Sequence, residues 1–191
     1  MKRKAFSRIH TLLFIGFLLF CLAGCKKEDK TPLVIGQAYQ GGVIAYLLVS
    51  GDLGYDATVQ HGLIAAGTDQ SSGAEWGCNG SLLSGANASG VGSGNQNTID
   101  IINGCSTAGT AASLCAGLNQ NGYDDWYLPS IDELNKLYLN RDVIGGFTPG
   151  VYWSSTEENS TMAWLTVFSS GNSGTNGNKS NLHAVRAVRS F

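Results

Sequence analysis

The chain has 191 residues with 26 glycines, 3 prolines and only 14% charged side chains, a composition that suits a loop-rich globular fold and argues against a helical bundle or a disordered tail. Its net charge of −2 hides an asymmetry: residues 1–24 carry Lys2, Arg3, Lys4 and Arg8 with no acid, whereas from Thr31 onward five basic side chains face twelve acidic ones. A folded part with net −7 has no general electrostatic affinity for nucleic acid or other polyanions.

After the basic start, the apolar run Leu12 to Phe20 ends in small residues before a cysteine, which is the layout of an export signal. The run is shorter than the ~20 helical residues that cross a hydrocarbon core, so residues 1–24 read as a signal peptide and not as a membrane anchor. Leu22-Ala23-Gly24-Cys25 resembles a bacterial lipobox, and Cys21 does not compete because bulky Phe20 precedes it. The resemblance implies a diacylglyceryl thioether and an N-acyl chain on mature Cys25. Several chains at ~0.8 kcal/mol per buried CH₂ make a stable link to the lipid bilayer. Residues 25–36 then form a lipidated tether, solvated through Lys26-Lys27-Glu28-Asp29-Lys30 and kept irregular by Thr31-Pro32. Lys27-Glu28-Asp29 looks like the Lys-acid-acid signal that sends some Gram-negative lipoproteins to the outer face of the outer membrane. The expected place is therefore the cell envelope, lipid-anchored to the outer membrane and surface-exposed, with residues 37–191 as one domain.

Val43 to Val49 is an apolar, β-prone run bounded by glycines and reads as a buried strand; Gly51 to Gly54 makes a turn, and His61 to Ala66 is a second strand. Thr68 to Asn97 is a polar stretch too long for a structureless loop in a compact domain, so it reads as ordered but irregular. Asn97 to Ile102 reads as a short helix. Thr107 caps a second one, with Ala108, Ala111, Ala112, Cys115 and Leu118 at helical spacing. Ser130 and Glu133 form a capping box for a helix that runs to about Asn140, with Ile131, Leu134, Leu137 and Tyr138 on one face. Late strands follow at Val151 to Ser155, Ala163 to Phe168 and His183 to Arg189, with Ser169 to Asn178 as a long exposed polar connection.

Together "GYDDWYLPSIDELNKLY", "YWSSTE", "AWLTVF" and "HAVRAVRSF" resemble the Lcl C-terminal domain family, over most of the mature chain. That family is similar to the C-type lectin-like superfamily. The resemblance implies an α+β fold with a mixed, mainly antiparallel sheet flanked by helices, first and last strands joined, and long irregular loops. Two features depart from the sugar-binding members: neither the Glu-Pro-Asn-type triplet nor the Trp-Asn-Asp motif that supplies calcium ligands is present. Glu157, Glu158 and Asn159 offer at most a weak calcium site, because three adjacent oxygens lack a glycine-turned loop. No cofactor is expected. The namesake's association with sulfated polysaccharides fits poorly with a net charge of −7, so glycan affinity would rest on hydrogen bonds and aromatic faces.

Trp126, Trp153 and Trp164 are expected in the core, with Trp76 in the polar stretch less defined. Alternation puts Arg186 and Arg189 on opposite faces of the last strand. One of them is expected to reach inward to Asp124, Asp125 or Glu133, the other reading being two solvated arginines. Related sequences often hold a cysteine where this chain has Ala187, opposite the Cys115 position. Cys105 and Cys115 would lie roughly 13 Å apart across a continuous helix, too far for a bridge. The expectation is a disulfide between Cys78 and Cys105 in an oxidising compartment, with Cys115 a buried thiol.

His61 and His183 are the only histidines after the signal, and no HExxH, CxxC, GxSxG or phosphate-loop pattern occurs. The adjacent pairs Asp124-Asp125 and Glu157-Glu158 diverge along extended chain, so no enzyme is expected. The function expected is a surface-anchored binding or adhesion module for a glycan or an extracellular protein. Glu157, Asn159, Asn172 and Asn176 are its candidate ligand-binding residues, on loop logic. The alternatives are a structural subunit of an envelope or fibre assembly, or an enzyme with an unrecognised site.

Overall fold

The computed structural model describes residues 31–191, of which Pro32–Phe191 form one compact unit. The expectations for the signal peptide, the lipidated Cys25 and the charge cluster after it lie outside the described residues. The fold is α+β, with two sheets and few helices. A four-stranded antiparallel sheet is ordered β1 (Ala38–Tyr39), β2 (Gly42–Leu47), β3 (Gly62–Ala65) and β9 (Val188–Ser190), so the last strand closes onto the N-terminal hairpin. A five-stranded sheet is ordered β4 (Ser71–Ala74), β8 (His183–Val185), β5 (Val151–Glu157), β6 (Met162–Val167) and β7 (Asn172–Asn178), with one parallel contact between β5 and β8. Helices α1 (Gly94–Gly104), α2 (Ala111–Ala116), α3 (Ile131–Leu139) and α4 (Arg141–Ile144) occupy the middle of the chain.

The capping box at α3 forms as its sequence dictates. Ser130 Oγ accepts the Glu133 amide at 3.3 Å, and Glu133 Oε2 accepts the Ser130 amide at 2.7 Å. Its apolar stripe, Ile131, Leu134 and Leu137, packs with Tyr127, Tyr152, Phe168 and Val188. A second cluster surrounds Trp76, Trp126 and Trp153, each sealed at 2% exposure or less, with its indole N–H donated to a backbone carbonyl. Trp76, less defined in the sequence, is thus a core residue: its indole donates to the Ser154 carbonyl at 2.8 Å.

Four expectations are corrected. The second helix starts after Thr110 and not after Thr107, because Gly109 at φ +75° holds a left-handed conformation that interrupts a right-handed helix. The first helix begins at Gly94, which places Asn97 inside it, buried. His183 to Arg189 is two strands belonging to different sheets; the expectation that one arginine reaches inward to Asp124, Asp125 or Glu133 is met by Arg189, and Arg186 is buried as well. Arg189 pairs with Asp125 through two bonds of 2.6 and 2.8 Å; Arg186 pairs with Asp69 at 2.7 Å and donates to the carbonyls of Ala66, Gly145 and Gly146.

The fourth correction is Ser169 to Asn178, which is not a loop. From Asn172 it is an edge strand in register with β6, and it is polar and glycine-rich because bulky β6 and β5 side chains lie across it. A Cβ at Gly177 would sit 2.6 Å from both Trp153 Cη2 and Leu165 Cδ2. Gly177→Ala is therefore expected to cost about 1–3 kcal/mol by overpacking, read as a lower urea midpoint at unchanged slope.

The disulfide expectation is met: Cys78 and Cys105 are bonded, with their Cα atoms 5.8 Å apart. Cys115 is free and buried in the cluster that contains Ala187, and burial alone pushes its thiol far above the ordinary range.

Candidate cleft beside Trp164

Four structural elements and one loop meet at one side of the five-stranded sheet. Ile131 and Asp132 come from the start of α3, Thr156, Glu157 and Glu158 from the end of β5 and the residue after it, and Trp164 from β6, Glu157 bordering the cleft with its carboxylate turned inward. Ser173 and Gly174 come from β7, and Asn87 and Ser89 from the loop before α1. They enclose an open cleft of about 550 Å³. Local hydrogen bonds hold its walls: the Asp132 amide donates to Ser89 O at 3.1 Å, and Ile131 N donates to Thr156 Oγ1 at 3.0 Å. Thr156 Oγ1 in turn donates to Ala88 O at 3.0 Å. The helix start, the strand end and the loop therefore move as one piece.

Trp164 is the indole that is only partly buried, packed against the cluster that holds Ile131, Tyr152 and Phe168. It is half-buried, and the ring runs across β7 where residue 174 has no side chain: a Cβ there would lie 2.6 Å from Trp164 Cζ3. The core expectation for Trp164 is met in part, since the ring packs on a core cluster without being sealed. The sequence signal was ambiguous because a β6 position opposite a glycine strand has the same apolar pattern as one opposite a packed strand. Asp132, Glu158, Asn87 and Ser89 are exposed around it. None of the lining residues is lysine, arginine or histidine.

The four candidates named from sequence do not share a site. Glu157 points inward: its carboxylate lies 2.5 Å from Lys179 Nζ and accepts the Leu83 amide at 2.9 and 3.1 Å, with both charged side chains at 1% exposure or less. Asn159 uses Oδ1 to close its own turn, accepting from the Thr161 amide and hydroxyl and the Met162 amide. Asn172 pairs with Val167 at the other end of β6, five residue steps or about 17 Å from the Asn159 turn. Asn176 lies opposite Trp164 in the ladder; its side chain is outside the described residues. Glu157, Glu158 and Asn159 consequently do not converge as calcium ligands, and no cluster of three metal-ligating side chains occurs among the described residues.

Beneath the cleft sits a carboxylate without a cation. Glu133 is buried, and its acceptors are filled by the amides of Ser130 and Gly92 at 2.7 and 2.8 Å. Burial dominates and raises it from the ordinary 4.5 to about 6, against the lowering effect of those hydrogen bonds. The sign follows by linkage. Below pH 4.5 the group is protonated in both states, and between there and about pH 6 only the folded form keeps the proton. As pH rises through that window this group removes about 2 kcal/mol of stability. Urea titrations of wild type and Glu133→Gln at successive pH values are expected to differ by that slope, the difference cancelling the groups common to both proteins, such as His183, whose burial holds it below its ordinary value.

Three of the five basic side chains from Thr31 onward are spent inside the fold: Lys179 on Glu157, Arg186 on Asp69 and Arg189 on Asp125. The Arg189 guanidinium holds the Asp125 carboxyl below its usual range. Lys136 and Arg141 remain, and each lies over a tyrosine ring, Tyr46 and Tyr138 respectively, away from the cleft lining.

No curated protein matches this chain in a sequence comparison. The family model for the Lcl C-terminal domain matches residues 66–189. That span contains every residue of the cleft and runs through well over half of the sequence, so the chain belongs to the Lcl C-terminal domain family.

Proposed function

We propose that this protein is a surface lipoprotein whose head, a C-type lectin-like domain, binds an extracellular ligand, a glycan or a protein, in the cleft beside Trp164. The observation that carries the reading is the half-open indole among exposed polar groups, in a head whose three other indoles are sealed. An aromatic face with neighbouring hydrogen-bonding groups is a common way to hold a sugar ring or a side chain at a solvent boundary. The lectin-like fold is supported by the last strand lying beside the N-terminal hairpin and by the long ordered loop that supplies Asn87 and Ser89. Retention at the outer membrane rests on the lipobox around Cys25 and the Lys27-Glu28-Asp29 signal.

The test has two arms. Cells fed labelled palmitate are expected to incorporate it into wild type and not into Cys25→Ser, with the latter released to the medium. The full-length chain on an array of glycans and matrix proteins is expected to retain at least one ligand, weakened about tenfold by Trp164→Ala. An array with no ligand, or one whose ligands ignore Trp164, refutes the binding reading whatever the palmitate result.

A further inference from the structure

Resting on that binding reading, we infer that the cleft takes a cationic saccharide, an oligomer of glucosamine units with free amines. Two exposed carboxylates, Asp132 and Glu158, line it, and no basic side chain does. Glu157 adds nothing to this field, because Lys179 lies 2.5 Å from it on the inner side. The cleft therefore presents two exposed carboxylates beside an aromatic ring, Asp132 in the first turn of α3 and Glu158 with no cation beside it, on a domain whose described basic side chains are either internally paired or stacked elsewhere. A sulfated or uronic-acid glycan would meet like charge with no counter-group, whereas an ammonium group would meet opposite charge.

The remaining lining selects a sugar as the bearer of that ammonium. Trp164 lines the cleft with a partly buried indole, an apolar group of the kind that packs on the C–H face of a pyranose ring and attracts a neighbouring cation. Asn87, Ser89 and Ser173 supply amide and hydroxyl groups that donate to and accept from sugar hydroxyls, which an alkylammonium side chain lacks.

The test is calorimetric titration of the full-length chain at about pH 5.5, where the probe's free amines are largely protonated. Four probes are used: a glucosamine hexamer, its fully N-acetylated form, hexalysine, and a heparin hexamer. The glucosamine hexamer is expected to bind at least about tenfold more tightly than the N-acetylated one and to weaken as salt rises. Asp132→Asn and Glu158→Gln are expected to weaken it about threefold each, and Trp164→Ala about tenfold. The first two positions are exposed, so loss of fold does not account for their effect.

Equal binding of the N-acetylated hexamer overturns the charge argument. Tighter binding of hexalysine overturns the saccharide argument in favour of a basic protein, and tightest binding of heparin overturns both. If none of the four binds while the array yields another Trp164-dependent ligand, this inference fails and the binding reading stands; if no Trp164-dependent ligand exists, both fail.

Discussion

Replacing Lys179 with methionine is expected to lower the stability of the folded chain by about 3–5 kcal/mol, the cost of breaking a buried ion pair by removing one partner. Lys179 Nζ lies 2.5 Å from Glu157 Oε1 and 2.9 Å from the Ser81 carbonyl, and it sits 4.6 Å from the centre of the Trp76 ring. Without the lysine, Glu157 is left as a charge at 1% exposure whose one described donor is the Leu83 amide. The loss is thus chiefly the desolvation of an orphaned carboxylate, and the favourable Coulomb energy of the intact pair is the smaller part. A second substitution separates the two: Lys179→Met with Glu157→Gln is expected to recover much of the loss, because no buried charge remains. Urea unfolding of the two single variants and the double variant measures the coupling directly. Single variants as stable as wild type would mean that the pair does not anchor the loop carrying Leu83 and Ala86. That loop continues into the cleft wall at Asn87 and Ser89, so Lys179→Met is also expected to weaken any Trp164-dependent ligand.

The second large effect is loss of the covalent bridge. Cys78 and Cys105 are 27 residues apart in sequence, and they tie the polar stretch before the first helix to that helix's end. Releasing a loop of this length restores about 3.5 kcal/mol of chain entropy to the unfolded state in the loop-closure model. The double variant Cys78→Ala, Cys105→Ala is expected to show that deficit in urea, and reductant is expected to bring wild type to the same midpoint. Cys115 does not interfere. Its thiol is sealed in the core and burial disfavours the thiolate, so it neither attacks the bridge nor reacts with alkylating reagents while the chain is folded. Alkylation of Cys115 in the native protein at a rate matching a free peptide thiol would contradict this packing.

Local chemistry was legible wherever neighbours in sequence sufficed. The Ser130–Glu133 box and the apolar strands β2 and β3 follow from short-range pattern; the α+β class came from the family resemblance, and Cys78–Cys105 from that resemblance combined with helical spacing. Strand β7 was not legible, because Asn-Ser-Gly-Thr-Asn-Gly-Asn has loop composition. What makes it a strand is the β6 ladder beside it, with Trp153, Leu165 and Trp164 occupying the space that its missing side chains leave. Glu157 was misread for the same kind of reason. A carboxylate next to another carboxylate looks solvated until Lys179, distant in sequence, is brought under it.

The sequence by itself determined the acidic balance of residues 31–191, the capped helix and the apolar strands, since each depends on composition or on residues a few positions apart. Only the tertiary structure decided that Trp164 is half-open while Trp76 is sealed, that the basic side chains of the late chain are consumed by Glu157, Asp69 and Asp125, and that Asp132 and Glu158 are left lining one cleft. The physical reason is that burial and charge pairing depend on which distant segment lies opposite a residue, and one chain's local pattern contains no record of that choice.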